Sequence, residues 1–287
     1  MAASLSTRAE ELQARVDEVG FWWHSINLGD GIVTPGAKSA EWLEAELARL
    51  QLGDLSGKSV LDIGAYDGFY SFAAERLGAA RVVAFDQYVW SADMPGYMRY
   101  RDERVAEDLP VEAPDALPEF WQPDELPGKR AFDLAHEALG SRVEVVVGDL
   151  LDYDLEHLGQ FDVVLYLGVL YHVRHPLLAL EKLAQVTSGS VYIETQAEEF
   201  RGVGKRPICR FIEGDELNHD PSNYWTFNEA ALLAMCSAAG FSSAEMHDDG
   251  RRRRRRLIKP LRGSTPYRAV LRADAASDRT ASAAGTR

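Results

Sequence analysis

The stretch VLDIGAYDGFYSF at 60–72 decides the fold. With Ser59 it opens as SVLDIG, a β-branched and apolar run ending in glycine, which reads as a buried strand. GFYSFAAERLG at 68–78 then reads as a helix with a glycine stop. Between them, Gly64 and Gly68 let the backbone turn tightly and approach a ligand closely. A second buried strand, RVVAFD at 81–86, ends in Asp86. A carboxylate there can accept hydrogen bonds from both ribose hydroxyls of a nucleoside.

Outward from this unit the same alternation continues. VEVVV at 143–147, FDVVLYLG at 161–168 and SVYIET at 190–195 read as strands, and 130–140 and 175–187 as helices. Strands alternating with helices imply right-handed βαβ units and a mostly parallel sheet, so the expected fold is α/β, a Rossmann-like three-layer sandwich. Residues 5–19 predict an amphipathic helix bearing Leu5, Leu12, Val16 and Val19. Residues 39–51 predict another, with Trp42, Leu43, Leu47 and Leu50 on its apolar side. After the fifth strand come a helix at 227–239 and strands FSSAEMH at 241–247 and YRAVLRA at 267–273, flanking a loop that holds Arg251 to Arg256. The expected division is an N-terminal helical cover over 1–56, a main domain over 57–274 and a disordered tail over 275–287. The main domain is interrupted at about 93–128, where five of the chain's 12 prolines fall between 110 and 127. That stretch predicts a solvated surface insertion, or a lid built on Tyr97, Tyr100, Phe120 and Trp121.

Composition narrows the function. The chain has 287 residues, 46% hydrophobic and 10% aromatic, which excludes disorder as its dominant state. Its net charge of −14 argues against a nucleic-acid partner, leaving the arginine run 251–256 as the local patch that could hold one. An apolar run of about 18 residues is lacking, so no membrane span is expected. The start, MAASLSTRAEELQARV, lacks the apolar stretch of a signal peptide, and a cytoplasmic location follows as the expectation. Cys209 and Cys236 lie on separate elements, without a second ligand at metal-binding spacing. Both read as buried thiols, and no metal is expected.

The glycine loop separates two cofactor classes. A dinucleotide fold needs G-x-G-x-x-G with the pyrophosphate on the helix N-terminus. Here Tyr66 and Phe69 replace the second and third glycines, and Asp67 would place negative charge beside the phosphates. S-adenosylmethionine (SAM) carries no phosphate, while its ammonium and sulfonium favour nearby carboxylates such as Asp62 and Asp67. DIGAYDG resembles the D-x-G-x-x-x-G signature of class I SAM-dependent methyltransferases. The resemblance implies a seven-stranded sheet whose last strand is antiparallel. It also implies SAM held by Asp62, Gly64, Ala65, Tyr66, Asp67, Gly68, Asp86 and Gln87, by Asp149 and Leu150 after the third strand, and by Leu167 and Gly168 after the fourth.

The wording GVLYH-x-x-x-P within 168–176 is similar to one subgroup, the relatives of the tRNA wobble-uridine carboxymethyltransferases. WHSINLGDGIVTPG before the fold and ELNHDPSNYWTFNEAALLAMCSAAGF after the fifth strand also fit it. The tRNA enzymes use a carboxylated SAM held partly by a lysine before the fold. Lys38 is poorly placed for that, so plain SAM is expected.

Tyr171 and His172 follow the fourth strand, at the sheet edge where ligands of open α/β folds bind. There His172 can take a proton from a hydroxyl and Tyr171 can pack beside the methylsulfonium; the competing role for His172 is packing the next helix. Candidate substrate residues are Trp23 and His24, whose competing role is to clamp the N-terminal cover, and Tyr224 and Trp225 beside Asn223, with Glu194, Arg210 and His219 as weaker ones. The expected reaction is methyl transfer to a small-molecule acceptor, foremost a hydroxyl oxygen. The alternatives are tRNA wobble-uridine modification and a SAM-binding protein without catalysis.

Overall fold

The apolar runs at 59–63, 81–86 and 161–167 become strands largely buried on both faces, while the run at 143–147 becomes a mostly exposed strand, and the amphipathic runs become helices. The computed structural model of the chain describes residues 2–200, 202–247 and 264–276, with side chains from residue 7 onward. In order, the elements are α1 (Ala2–Val19), β1 (Asn27–Gly29), β2 (Ile32–Val33), α2 (Ala40–Leu50), β3 (Ser59–Ile63), α3 (Phe69–Arg76), β4 (Arg81–Asp86), α4 (Tyr88–Ser91), α5 (Met94–Ala106), α6 (Arg130–Leu139), β5 (Glu144–Val147), β6 (Phe161–Leu167), α7 (Pro176–Val186), β7 (Thr187–Phe200), β8 (Cys209–Phe211), β9 (Trp225–Phe227), α8 (Glu229–Ala238), β10 (Ser243–Met246) and β11 (Ser264–Asp274).

The chain divides into two compact units: Met1–Gly57 with Gly64–Asp149, and Lys58–Ile63 with the chain from Leu150 on. In the second unit the strand path is β10-β11-β7-β6-β3. β3 runs parallel to β6, with Val60 opposite Val163, and β6 parallel to β7. β11 runs antiparallel to β7, from Ser264 opposite Phe200 to Asp274 opposite Ser190. In the first unit β4 and β5 are parallel, with Val83 opposite Glu144. The two paths hold seven strands, mostly parallel, and the chain's last strand is antiparallel to its neighbours. This is the α/β, Rossmann-like class that the sequence predicts.

Local chemistry sets the helix ends. Ser39 caps α2, its Oγ accepting from the Trp42 N–H at 3.3 Å. Asn228 caps α8 through Oδ1, which accepts from Ala231 N at 2.8 Å and from Ile208 N at 3.0 Å. In the first unit, α1 packs on α6, and Arg15 forms a two-pronged bond to Glu137.

Several expectations need correction. Trp42 is 60% exposed, and its indole N–H donates to Glu46 at 3.0 Å instead of entering the core. The segment 93–128 is not simply a solvated loop: 13 of its residues form helix α5, and its own aromatics close it. Tyr97 is buried and packs against Tyr100 and, edge-on, against Phe120, while its hydroxyl donates to Glu112 O at 3.1 Å. The strand expected at 190–195 extends to 14 residues, because β11 pairs along nearly all of it. The short pair β8–β9 was not foreseen. Cys236 is buried as expected, but Cys209 is exposed. Among the described residues no helix is long and apolar enough to cross a membrane. The arginine run 251–256 and tail residues 277–287 lie outside the described residues.

Candidate functional site

The glycine loop 64–68, which follows β3 in sequence, belongs to the first unit. Gly64 N donates to Phe85 O at 2.8 Å, and Gly68 N to Ala65 O at 2.8 Å. Gly64 and Gly68 have φ of 79° and 89°. A Cβ on Gly68 would lie 2.4 Å from the Phe72 ring, so no other residue fits there. Tyr66 also has positive φ, 57°, a conformation that costs a non-glycine residue about 1–3 kcal/mol. The surroundings hold it there. Its N–H donates to Asp86 Oδ2 at 3.0 Å, its carbonyl accepts from Trp90 Nε1 at 2.6 Å, and its ring stacks on Trp23 at 5.9 Å.

Asp86 therefore organises the loop. Its second oxygen accepts from Val89 N at 3.3 Å. Burial pushes its carboxyl up to about 6, against the lowering effect of the backbone N–H bonds. The unfolded chain ionises this group first, so the protein loses stability as pH rises from 3.8 to about 6. A carboxylate has about four lone-pair sites, so ribose hydroxyls can still bond to it. The affinity for S-adenosylhomocysteine (SAH), the demethylated cofactor, should then weaken several-fold as pH falls from 7.5 to 5. Asp86→Asn should bind more weakly and flatten that dependence. Calorimetry across the range checks both, and an unchanged slope in the variant would remove Asp86 from the cofactor site.

Asp67 departs from expectation. It is fully buried, and both oxygens are committed to the N-terminal segment. Oδ2 accepts from Trp23 N at 2.9 Å and His24 N at 2.8 Å, and Oδ1 pairs with His24 Nδ1. The His24 ring is packed among Tyr66, Phe69 and Tyr70. The expected cofactor carboxylate Asp67 and substrate residue His24 thus fasten the 21–38 segment to the glycine loop, which leaves Trp23 over Tyr66. Lys38 Nζ donates to Glu46 Oε2 at 2.8 Å, so its charge is neutralised within the same unit. Gln87 is half-buried after β4, and Asp149 is exposed after β5.

In the second unit, Asp62 is buried on β3, Leu150 is buried, and Leu167 and Gly168 are half-buried at the end of β6. Gly168 N donates to Glu194 O at 2.8 Å. Glu194 grips the Arg268 guanidinium through both oxygens. Arg268 lies over the Tyr171 ring, 4.7 Å from its centroid. Burial works against the Arg268 charge, but Glu194 and Tyr171 outweigh it and hold the guanidinium above its usual range. Burial pushes the Tyr171 phenol up, with Arg268 opposing. Arg268 was not singled out from the sequence. The signal was the acid content of SVYIETQAEEF: a buried strand carrying Glu194 and Glu198 needs cations from the strand paired with it.

His172 sits in the turn after β6. Its Nδ1 lies 3.1 Å from Ser222 O and 2.9 Å from Ser222 Oγ, and Ser222 Oγ donates to Asp220 Oδ1 at 2.6 Å. Burial pulls the imidazole below its usual range; Asp220 and the Ser222 carbonyl oppose this, and Arg268 adds to it. Tyr224 N donates to Tyr171 O at 2.9 Å, which ties the 220–224 segment to the same turn. Arg174 lies over the Tyr224 ring, and Trp225 packs edge-on against Phe211. Asn223 is buried, its amide donating to Leu217 O at 2.7 Å. Arg210, expected toward the substrate, is held instead between Glu198 and Glu216, each at 3.0 Å. His219 is exposed beside Asp215.

Residues 38–245 match the family model described as Methyltransferase domain. The chain belongs to the class I SAM-dependent methyltransferases. A tRNA U34 carboxymethyltransferase of Campylobacter jejuni subsp. doylei is 27% identical over 197 residues, which is 68% of this chain and 53% of that protein. The chain thus spans about half the length of the curated relatives it matches. The N-terminal domain of EvdMO1, crystallised with SAH bound, aligns with a TM-score of 0.60 at 20% identity over 93% of this chain and 97% of that one. An O-methyltransferase family protein from Burkholderia thailandensis aligns with a TM-score of 0.51 at 16% identity, over 82% of this chain and 57% of that one. These likenesses are of fold.

Proposed function

We propose that the methyltransferase methylates a hydroxyl oxygen of a small molecule, with His172 taking the hydroxyl proton. The observation that carries this reading is the environment of His172. Its Nδ1 is held against Ser222, and burial keeps the ring neutral at neutral pH, the state a general base needs. SAM, when bound, supplies a methyl group on a sulfonium that leaves as a neutral thioether. The glycine loop and Asp86 would hold it: the loop backbone approaches without side chains at Gly64 and Gly68, and Asp86 offers acceptors for the ribose. Asp62, Asp149, Leu150, Leu167 and Gly168 remain cofactor candidates on the family resemblance. Tyr171 and Tyr224 would shape the acceptor pocket, with Glu194 and Arg268 fixing Tyr171 from beneath.

The tRNA reading is the rival, favoured by the Campylobacter relatives. Against it stand the net charge of −14 and the pairing of Lys38 with Glu46. Incubation with methyl-labelled SAM should label a small-molecule fraction of a cell extract and leave purified tRNA unlabelled. Label in the tRNA, with a salt-dependent gel shift, would reverse the assignment.

A further inference from the structure

We infer that Ser222 and Asp220 are positioning residues that fix His172 as its Nδ1–H tautomer, so that Nε2 is the atom that accepts the proton. The inference rests on the reading of His172 as the base and adds which nitrogen acts and what sets it. Two acceptors meet Nδ1. The Ser222 carbonyl, at 3.1 Å, can only accept. The Ser222 hydroxyl, at 2.9 Å, sends its own proton to Asp220 Oδ1 at 2.6 Å and so turns a lone pair toward the ring. Both contacts need a proton on Nδ1. A neutral imidazole carries only one proton, so the lone pair falls on Nε2.

The 220–222 segment is braced for this. Ser222 N donates to the same Asp220 oxygen at 3.0 Å, closing a turn in which a carboxylate holds both the backbone and the hydroxyl of one serine. When Nε2 takes a proton from the acceptor oxygen, the ring becomes an imidazolium with both nitrogens donating. The Nδ1–H bond to Ser222 is kept, and the positive charge then faces the Asp220 carboxylate. The other groups facing His172 are Tyr171 on its own turn and Arg268 of β11. Glu194 of β7 pairs with that arginine, so Asp220 is the anion left to stabilise the imidazolium.

The tautomer and the titration midpoint can be read without a substrate. In ¹⁵N-histidine-labelled protein at pH 8, His172 should show a protonated Nδ1 and an unprotonated Nε2. A protonated Nε2 in the wild type would overturn the inference. Asp220→Asn keeps an oxygen for the serine N–H and removes the charge. It should lower the midpoint of the His172 titration and move the acid limb of the pH–rate profile down with it. Ser222→Ala keeps the carbonyl, so the tautomer should persist with a weaker Nδ1–H bond. An Asp220→Asn protein that melts like wild type with an unmoved His172 midpoint would leave Asp220 without this role. If the tautomer is found as stated while His172→Ala keeps full activity, the base reading fails and the tether stands.

Discussion

Replacing His172 by alanine is expected to lower the methylation rate by about 10²–10⁴-fold, the usual worth of a positioned general base. SAH affinity should stay within about twofold, because none of the groups bonded to His172 belongs to the glycine loop. The sign of the pH dependence follows from the lowered value of the imidazole. The base form already dominates at neutral pH. The wild-type rate should therefore be flat through neutrality and fall only as pH drops below the ordinary histidine range. With SAM saturating at every pH, so that Asp86 does not contribute, that acid limb should vanish in His172→Ala, leaving a slow rate that rises with pH as the acceptor itself ionises. Steady-state rates on a labelled acceptor, with calorimetric SAH titration as the control, would check it. A His172→Ala enzyme within a few-fold of wild type would mean that the acceptor sheds its proton unaided, as an acidic phenol or a carboxylate can. Holding donor and acceptor in line would then carry the catalysis.

The parts of this site that were legible in the sequence are those set by local pattern. β4 and β6 are read to within a residue, because a parallel strand buried on both faces is a continuous apolar run. Gly64 and Gly68 stand out because a strand-to-helix turn at that spacing uses left-handed backbone. What was missed depends on partners distant in the chain. Asp67 reads as a cofactor carboxylate, and only the fold shows that the segment 43 residues earlier bonds to both its oxygens. Arg268 lies 74 residues from Glu194, and nothing local distinguishes it from Arg272 on the same strand. Ser222 and Asp220 lie in a turn whose residue types suit many loops, and only the fold sets His172, 50 residues away, beside them. Trp42 was misplaced for the opposite reason: its helical spacing is apolar, yet one hydrogen bond to Glu46 one turn on lets the indole lie at the surface.

Gly64→Val should abolish measurable SAH binding while the protein still melts cooperatively. The backbone at Gly64 has φ of 79°, the left-handed region that costs a β-branched residue most. In the unliganded variant the loop can relax away from that conformation, giving up the Gly64 N–H bond to Phe85 O. Binding must restore it, so the strain of about 1–3 kcal/mol appears in the affinity as roughly 5- to 150-fold even before any clash. The valine side chain would then add bulk where the loop backbone has to meet the ligand, taking binding below detection. Gly64→Ala separates the two effects. Its small side chain leaves mainly the backbone term, so SAH should bind with an affinity reduced within that range. Relaxation of the loop should also be visible at Tyr66, whose N–H to Asp86 and stacking on Trp23 depend on the turn. Hydrogen exchange at Tyr66 should therefore speed up in both variants. If Gly64→Val binds SAH as wild type does, the loop is not the cofactor's cradle, and the assignment of Asp86 to the ribose falls with it.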